Sequence, residues 1–302
     1  MYLRASFIPN TLSTISLKSI YVDFKAITKA GLAISVVFSS IAGFVLGEAD
    51  FATFNWIVLL KLTIGGYCMV GASNAFNQVI EKDLDALMDR TKNRPIPAGR
   101  MQSNVALTIA SLLTIIGIFL LYTINPKTAM FGAISIFLYT SVYTPLKTVT
   151  SLSVFVGAFP GAIPFMLGWV AATGNFGIEA GTLFLIQFFW QFPHFWAIAW
   201  VADSDYKKAG FKMLPNDGKK DLKTAFTIMM ITIILVPLGF IPYMLHITGF
   251  NSAIIAVIAS VLFLCQTFYL MMSPTDKAAK WMMFGSFLYL PVVQIAFLID
   301  KI

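Results

Sequence analysis

Four acidic residues, Glu81, Asp83, Asp85 and Asp89, fall within nine positions of a chain that carries only 14 acids among 302 residues. Residues four apart share one face of a helix. Asn77, Glu81, Asp85 and Asp89 follow that spacing without a break, and Asn74 lies near the same face one turn earlier. Asp83 points elsewhere. If the helix before residue 80 continues, an amide and three carboxylates form one stripe. Neighbouring carboxylates repel, destabilising a helix by about 0.2–0.5 kcal/mol per pair. A divalent cation offsets that repulsion. Oxygen-only donors favour a hard ion such as Mg²⁺, which binds one or two carboxylates together with water and substrate phosphate. Arg90, Lys92, Arg94 and Arg100 follow at once, and a guanidinium fork suits phosphate oxygens. Acid for a metal and base for phosphate are the groups a diphosphate site requires. The alternative is a solvated helix end whose acids pair with Lys82, Arg90 and Lys92. Pro95 and Pro97 end any helix there and stiffen the loop.

A second polar set occurs in WQFPHFWAIAWVADSDYKKAGFKMLP, residues 190–215. Gln187, Gln191, His194 and Asp205 are nearly in phase on a continuous helix, with Asp205 at its rim. Polar groups at bilayer depth are costly and face a cavity or the bundle interior. His194 is one of only two histidines. It suits an interhelical hydrogen bond, and equally a general base or an iron ligand. Pro193 removes a backbone donor and kinks the helix.

The elements that position these groups are membrane helices. Hydrophobic residues make up 58% of the chain and charged residues 12%, about half the charge of a soluble domain. Mean hydropathy is +0.80. Apolar runs long enough to cross a bilayer recur along the chain, whereas the alternating segments of an outer-membrane barrel are absent. Nine spans are expected, near 27–47, 54–80, 104–124, 127–143, 150–172, 179–201, 222–243, 251–271 and 279–299. The fold class is therefore all-α, a polytopic bundle of nine transmembrane helices forming one domain over 27–302. Residues 1–26 read as a cytoplasmic tail, without a signal peptide and only faintly like a transit peptide.

Two connections are long and charged, 81–103 and 202–221. With the N-terminus inside, every Lys and Arg of the 21 except Lys61, Lys127 and Lys301 falls on the inner side or adjoining span ends. The positive-inside bias accounts for the net charge of +7 and puts both long loops on one face. They lie four spans apart, which hints at a repeat. Cys68 and Cys265 read as buried packing thiols.

At these residues the chain resembles the UbiA superfamily of intramembrane prenyltransferases. Its first motif, Asn then an acid then Asp at spacing four, appears as Asn77, Glu81 and Asp85. The continuation found in its heme-farnesylating branch appears as Met88, Arg90, Thr91, Asn93 and Arg94. YTPLK at 143–147, GAFPGAIPFMLGW at 157–169, WQFPHF at 190–195 and DYKKAGFKMLP at 205–215 are similar to later segments. Spans one to six carry the likeness; the last three match only in hydropathy. Two departures stand out. Glu81 occupies a position where Asp is usual, and Asp203 and Asp205 are two apart rather than four.

The resemblance implies farnesyl transfer from farnesyl diphosphate to a vinyl group of protoheme IX (heme B), giving heme O. It implies Mg²⁺ held by Asn77, Glu81, Asp85 and Asp205, with Arg90, Arg94 and Tyr206 at the diphosphate. His194 would meet the heme iron or orient the porphyrin, with Gln191, Lys92 and Lys207 as further ligand-binding groups. Asp83, Asp89 and Asp203 receive no role. The implied setting is a lipid bilayer, the bacterial inner membrane rather than the mitochondrial one, with a downstream heme-modifying enzyme as partner. One alternative is prenyl transfer to an aromatic acid or quinone precursor. The other is a cation-coupled transporter using the acidic stripes, against which the dense neighbouring bases argue.

Overall fold

The computed structural model describes residues 17–302, and the first 16 residues of the expected tail lie outside this range. The rest of that tail is a helix, α1 (Leu17–Ile27). The first half of the bundle is built from α2 (Ala30–Gly47), α3 (Trp56–Ile80), the short α4 (Lys82–Asp85), α5 (Ser103–Tyr122), α6 (Pro126–Phe137) and the short α7 (Thr144–Leu146). A π-helical turn, Leu138–Tyr143, joins α6 to α7, so these pieces make one crossing. The second half comprises α8 (Ser153–Thr173), α9 (Ile178–Val201), the short α10 (Asp203–Lys208) and α11 (Pro215–Gly218), a crossing in three pieces α12 (Leu222–Ile233), α13 (Leu235–Leu238) and α14 (Ile241–Met244), then α15 (Phe250–Met272) and α16 (Asp276–Ile299).

Among the described residues eight helical stretches are long and apolar enough to span a bilayer, and they fall where eight of the nine spans were expected. The remaining expected span is α9, 24 residues long. Its Glu179, Gln187, Gln191 and His194 lower its apolarity, and it lies in the interior of the bundle against α8 and α16. The chain is thus an all-helical integral membrane protein. Large side chains such as Leu112, Ile115, Phe119, Leu262 and Leu288 are exposed around its flanks, as a lipid-facing surface requires.

Small residues let the inner helices approach. A Cβ on Gly168 of α8 would sit 2.0 Å from the Ser40 carbonyl oxygen of α2, and one on Gly43 would sit 1.9 Å from the Phe165 carbonyl oxygen. Such backbone contact is a usual way for membrane helices to gain dispersion energy where burial from water contributes little. Pro160 and Pro164 sit within α8.

Both long loops lie at the same end of the bundle. The 81–103 loop is folded rather than loose: Met88 and Thr91 are 1% exposed, and its turns are closed by backbone bonds such as Lys92 N–H to the Met88 carbonyl at 2.9 Å. At the other end Lys301 donates to the Glu48 carbonyl, and the Asp300 carboxylate accepts the Ser252 amide at 2.7 Å.

Candidate active site

The expected helical continuation at the end of α3 is only partly realised. The helix breaks at Glu81 (φ −94°, ψ 11°) and resumes as α4. The bonds Glu81 N–H to Asn77 O (2.9 Å) and Asp85 N–H to Glu81 O (2.7 Å) persist across the break. Asn77, Glu81 and Asp85 therefore stay in register and are 1%, 4% and 0% exposed. Asp89 lies beyond α4 and leaves the stripe; its side chain is exposed and paired with Lys92 at 2.6 Å and with Lys208.

Each buried acid meets a base. Asp85 Oδ2 pairs with Arg94 Nη1 at 2.6 Å, and Glu81 Oε1 with Lys147 Nζ at 2.8 Å. Asp85 Oδ1 is buried without a hydrogen-bond partner. Burial raises the Asp85 carboxyl above its ordinary value, with Arg94 pulling the other way. Burial, the largest single influence, would lower the Lys147 ammonium, but Glu81, Tyr139 and Tyr206 together outweigh it and the net shift is upward.

The π-helical turn presents this second wall. By inserting a residue it brings Tyr143, Thr144 and Lys147 to the site. Thr144 Oγ1 donates to Tyr139 O at 2.7 Å, five residues back, and accepts from Asn77 Nδ2 at 3.2 Å. The Lys147 ammonium lies 4.7 Å from the Tyr143 ring centroid and 5.5 Å from that of Phe211.

The second acidic cluster differs from expectation. α9 stops at Val201, and Ala202 takes the same dihedrals as Glu81, φ −94° and ψ 11°. Asp205 belongs to α10, so the continuous stripe from Gln187 to Asp205 does not form. Gln191 donates to the Gly161 carbonyl of α8 at 3.0 Å, while His194 faces α16. The ends of α3 and α9 thus break with the same backbone geometry.

Asp205 joins the two loops. Its carboxylate accepts the Asp89 and Arg90 backbone amides at 3.2 and 3.0 Å and the Lys208 ammonium at 3.0 Å. These bonds hold the Asp205 carboxyl below its ordinary value, Lys208 contributing most. Arg90 donates to Tyr206 Oη at 3.1 Å and lies over its ring at 4.8 Å. Asp203 pairs with Lys207 at 2.8 Å, outside this junction. Among the described residues no three acids, histidines or cysteines enclose a metal by themselves. Asp205 thus ties the loop that follows α4 to the segment that follows α9.

His194 is held in one tautomer. Ser286 Oγ donates to Met283 O at 2.6 Å, so it accepts from His194 Nδ1 at 2.9 Å. The lone pair of the imidazole is then on Nε2, the arrangement that suits a metal-ligating ring. The ring stacks on Trp190 at 4.4 Å.

One residue of the site escapes sequence reasoning. Lys29 lies between α1 and α2 with φ 47° and ψ 55°, a left-handed conformation rare for a side chain of its kind. Amides of α3 hold that turn. Gln78 Nε2 donates to the Ala26 and Ile27 carbonyls at 3.1 and 2.9 Å, and Asn74 Nδ2 to that of Thr28 at 3.2 Å. The Lys29 ammonium comes within electrostatic range of Arg94, Lys147, Glu81 and Asp85. Burial first, then the two like charges, lowers its pKa to about 7. The only sequence signal was a base at the start of the first expected span.

A membrane bundle whose buried carboxylates and clustered bases meet at one rim defines the class of intramembrane enzymes that handle an anionic head group on an apolar chain. The model of the UbiA prenyltransferase family matches residues 36–289, and the chain belongs to that family. It is 65% identical over 96% of its length to the protoheme IX farnesyltransferase of Flavobacterium johnsoniae, covering 97% of that protein. It is 48% identical to the one from Cytophaga hutchinsonii, over 91% and 96% of the two chains. Its fold matches a digeranylgeranylglyceryl phosphate synthase with a TM-score of 0.78 at 19% identity, covering 93% and 98% of the two chains. It also matches a UbiA homologue from Archaeoglobus fulgidus bound to DMAPP and Mg²⁺, with a TM-score of 0.69 at 13% identity over 89% and 99%.

Proposed function

We propose that the chain transfers a farnesyl group from farnesyl diphosphate to a vinyl group of protoheme IX, giving heme O and diphosphate. The observation that carries the reading is Asp85: fully buried, one oxygen bound to Arg94, the other without a partner, in a ring of bases. A buried acceptor without a partner costs about 1–3 kcal/mol, so it marks a place for a ligand.

The residues fit Mg²⁺. The donors are all oxygen, and the buried acids stand too few to cage an ion alone, which suits a metal that completes its shell with water and substrate phosphate. Asp85, Glu81 and Asn77 would hold it. Asp205 supplies a further oxygen, since a carboxylate has about four acceptor positions and three are in use here. Bound there, the metal supplies charge neutralisation for the departing diphosphate.

Arg94 and Lys147 now spend their charge on Asp85 and Glu81. A magnesium diphosphate brings a cation for the acids and an anion for the bases together, so it replaces both partners of each pair. Lys29, Arg90, Arg94 and Lys147 then bind phosphate oxygens and stabilise the charge that grows as the C–O bond breaks, an electrostatic contribution to catalysis. Diphosphate leaves with the electron pair, and an allylic cation remains on the farnesyl chain. The vinyl π electrons form the new C–C bond, and water adds to the resulting cation with loss of a proton, giving a hydroxyethylfarnesyl group. The apolar bundle interior keeps water from the first cation. His194 Nε2 offers its lone pair to the heme iron. The active-site face is cytoplasmic, at the bacterial inner membrane, and a downstream heme-modifying enzyme receives the product.

Purified protein supplied with heme B, farnesyl diphosphate and Mg²⁺ should yield a product of heme O mass, and Asp85→Ala should abolish it while the protein still inserts. Prenylation of 4-hydroxybenzoate in place of heme B would overturn the choice of acceptor.

A further inference from the structure

Beside the acid–base centre lies an open cleft of about 580 Å³ between the loop that follows α7 and the segment after α10. Tyr206 and Phe211 form its inner wall, their ring centroids 5.7 Å apart. Tyr206 also bears Arg90 on its ring, so one side chain separates this cleft from the basic centre. Met213 and Leu214, 5% and 3% exposed, add an apolar lining.

The rim of the cleft is cationic. Lys207 and Lys212 both line it. The only acid lining it among the described residues, Asp203, is shared between Lys207 at 2.8 Å and Lys220 at 3.9 Å. Lys212 has no carboxylate within 4 Å among the described residues. Its backbone amide donates to the Lys147 carbonyl at 2.6 Å, and its ammonium touches only the Val149 carbonyl, at 3.2 Å. The cleft therefore offers an apolar lining, a net positive rim and, on that rim, one exposed ammonium with no carboxylate partner among the described residues. That pattern fits a large apolar molecule with carboxylates on one edge.

We propose that this cleft binds the carboxylate edge of the acceptor, with Lys212 as the principal contact and Lys207 at the rim. The inference rests on the heme reading of the function: protoheme carries two propionates on the edge opposite its vinyl groups. With the propionates at Lys212, the opposite edge is turned toward Tyr206 and the prenyl donor beyond it. Lys212 is a binding residue for the acceptor and has no part in holding the diphosphate.

Steady-state kinetics with heme B and with its propionate dimethyl ester test this. Wild type should show about a tenfold lower KM for the diacid than for the ester. Lys212→Gln should raise the KM for heme B about tenfold, as loss of one exposed charge-assisted contact predicts, and erase the preference for the diacid. Its KM for farnesyl diphosphate should not move, which also shows that the variant is folded. Lys212→Arg should restore the preference, and Lys223→Gln, an exposed base away from the cleft, should change nothing. A Lys212→Gln enzyme with unaltered heme KM and an intact preference would overturn the inference alone. Wild type that prenylates no heme at all would overturn the functional reading as well.

Discussion

Lys29 allows a proton count. In the free site its pKa is about 7 because burial, Arg94 and Lys147 oppose its charge. Diphosphate beside it reverses the local field and favours the ammonium. The sign follows: a base with a lowered value is charged below about pH 7 and neutral above, so binding at higher pH must take up a proton. At pH 8 such a group is about one-tenth protonated, and binding takes up about 0.9 proton. If the complex keeps the charge throughout, donor affinity falls about tenfold between pH 6 and pH 8 from this group alone, or about 1.4 kcal/mol. Calorimetry of farnesyl diphosphate binding at saturating Mg²⁺, in buffers of different ionisation enthalpy, reads the proton uptake directly. The donor has its own titration, so the informative quantity is the difference from Lys29→Met. That variant should lose the extra uptake and flatten the pH profile. Equal uptake and equal profiles in the two proteins would refute the placement of Lys29 at the diphosphate.

Arg94→Ala should destabilise the protein by about 3 kcal/mol, because breaking a buried pair leaves an uncompensated carboxylate; the double variant Arg94→Ala/Asp85→Ala should recover most of the loss in thermal unfolding. The left-handed turn predicts that Lys29→Gly is at least as stable as wild type whereas Lys29→Val loses about 2 kcal/mol; equal melting temperatures for the two would contradict it. Lys208, then Lys92, depress the Asp89 carboxyl to about 2, so its contribution to the loop junction is complete above about pH 4 and is lost as the pH falls through about 2. Hydrogen exchange at the Arg90 amide should stay slow from pH 7 to pH 4 after correction for intrinsic rates, and accelerated exchange at pH 5 would count against the junction.

What the sequence disclosed and what it concealed divide along one physical line. Span positions depend on summed hydropathy over about 20 residues, so small local errors cancel, and eight spans were recovered with ends within three residues. The pairing of Asn77, Glu81 and Asp85 depends on only two helical turns, and it survived even the break at Glu81. Arguments over longer stretches failed. The eleven-residue phase from His194 to Asp205 required α9 to run unbroken, and one residue, Ala202, turned the chain aside. Asp89 was lost to the stripe in the same way after α4 ended.

Lys29 was concealed for a different reason. Nothing in its neighbours specifies a left-handed turn; the turn is imposed by Asn74 and Gln78, some fifty positions later. The same two amides explain why α3 carries polar side chains beyond the motif itself. They do no chemistry, yet without them the carbonyls of Ile27 and Thr28 would lack partners at the membrane edge, and the chain would have no reason to aim Lys29 inward. The centre therefore depends on helix α3 twice: Asn77, Glu81 and the succeeding Asp85 supply an amide and two acids, and Asn74 and Gln78 fix a base that belongs to another element. Replacing Gln78 by Leu removes two hydrogen bonds without touching any charge, and the turn it releases is the one that sets the position of Lys29.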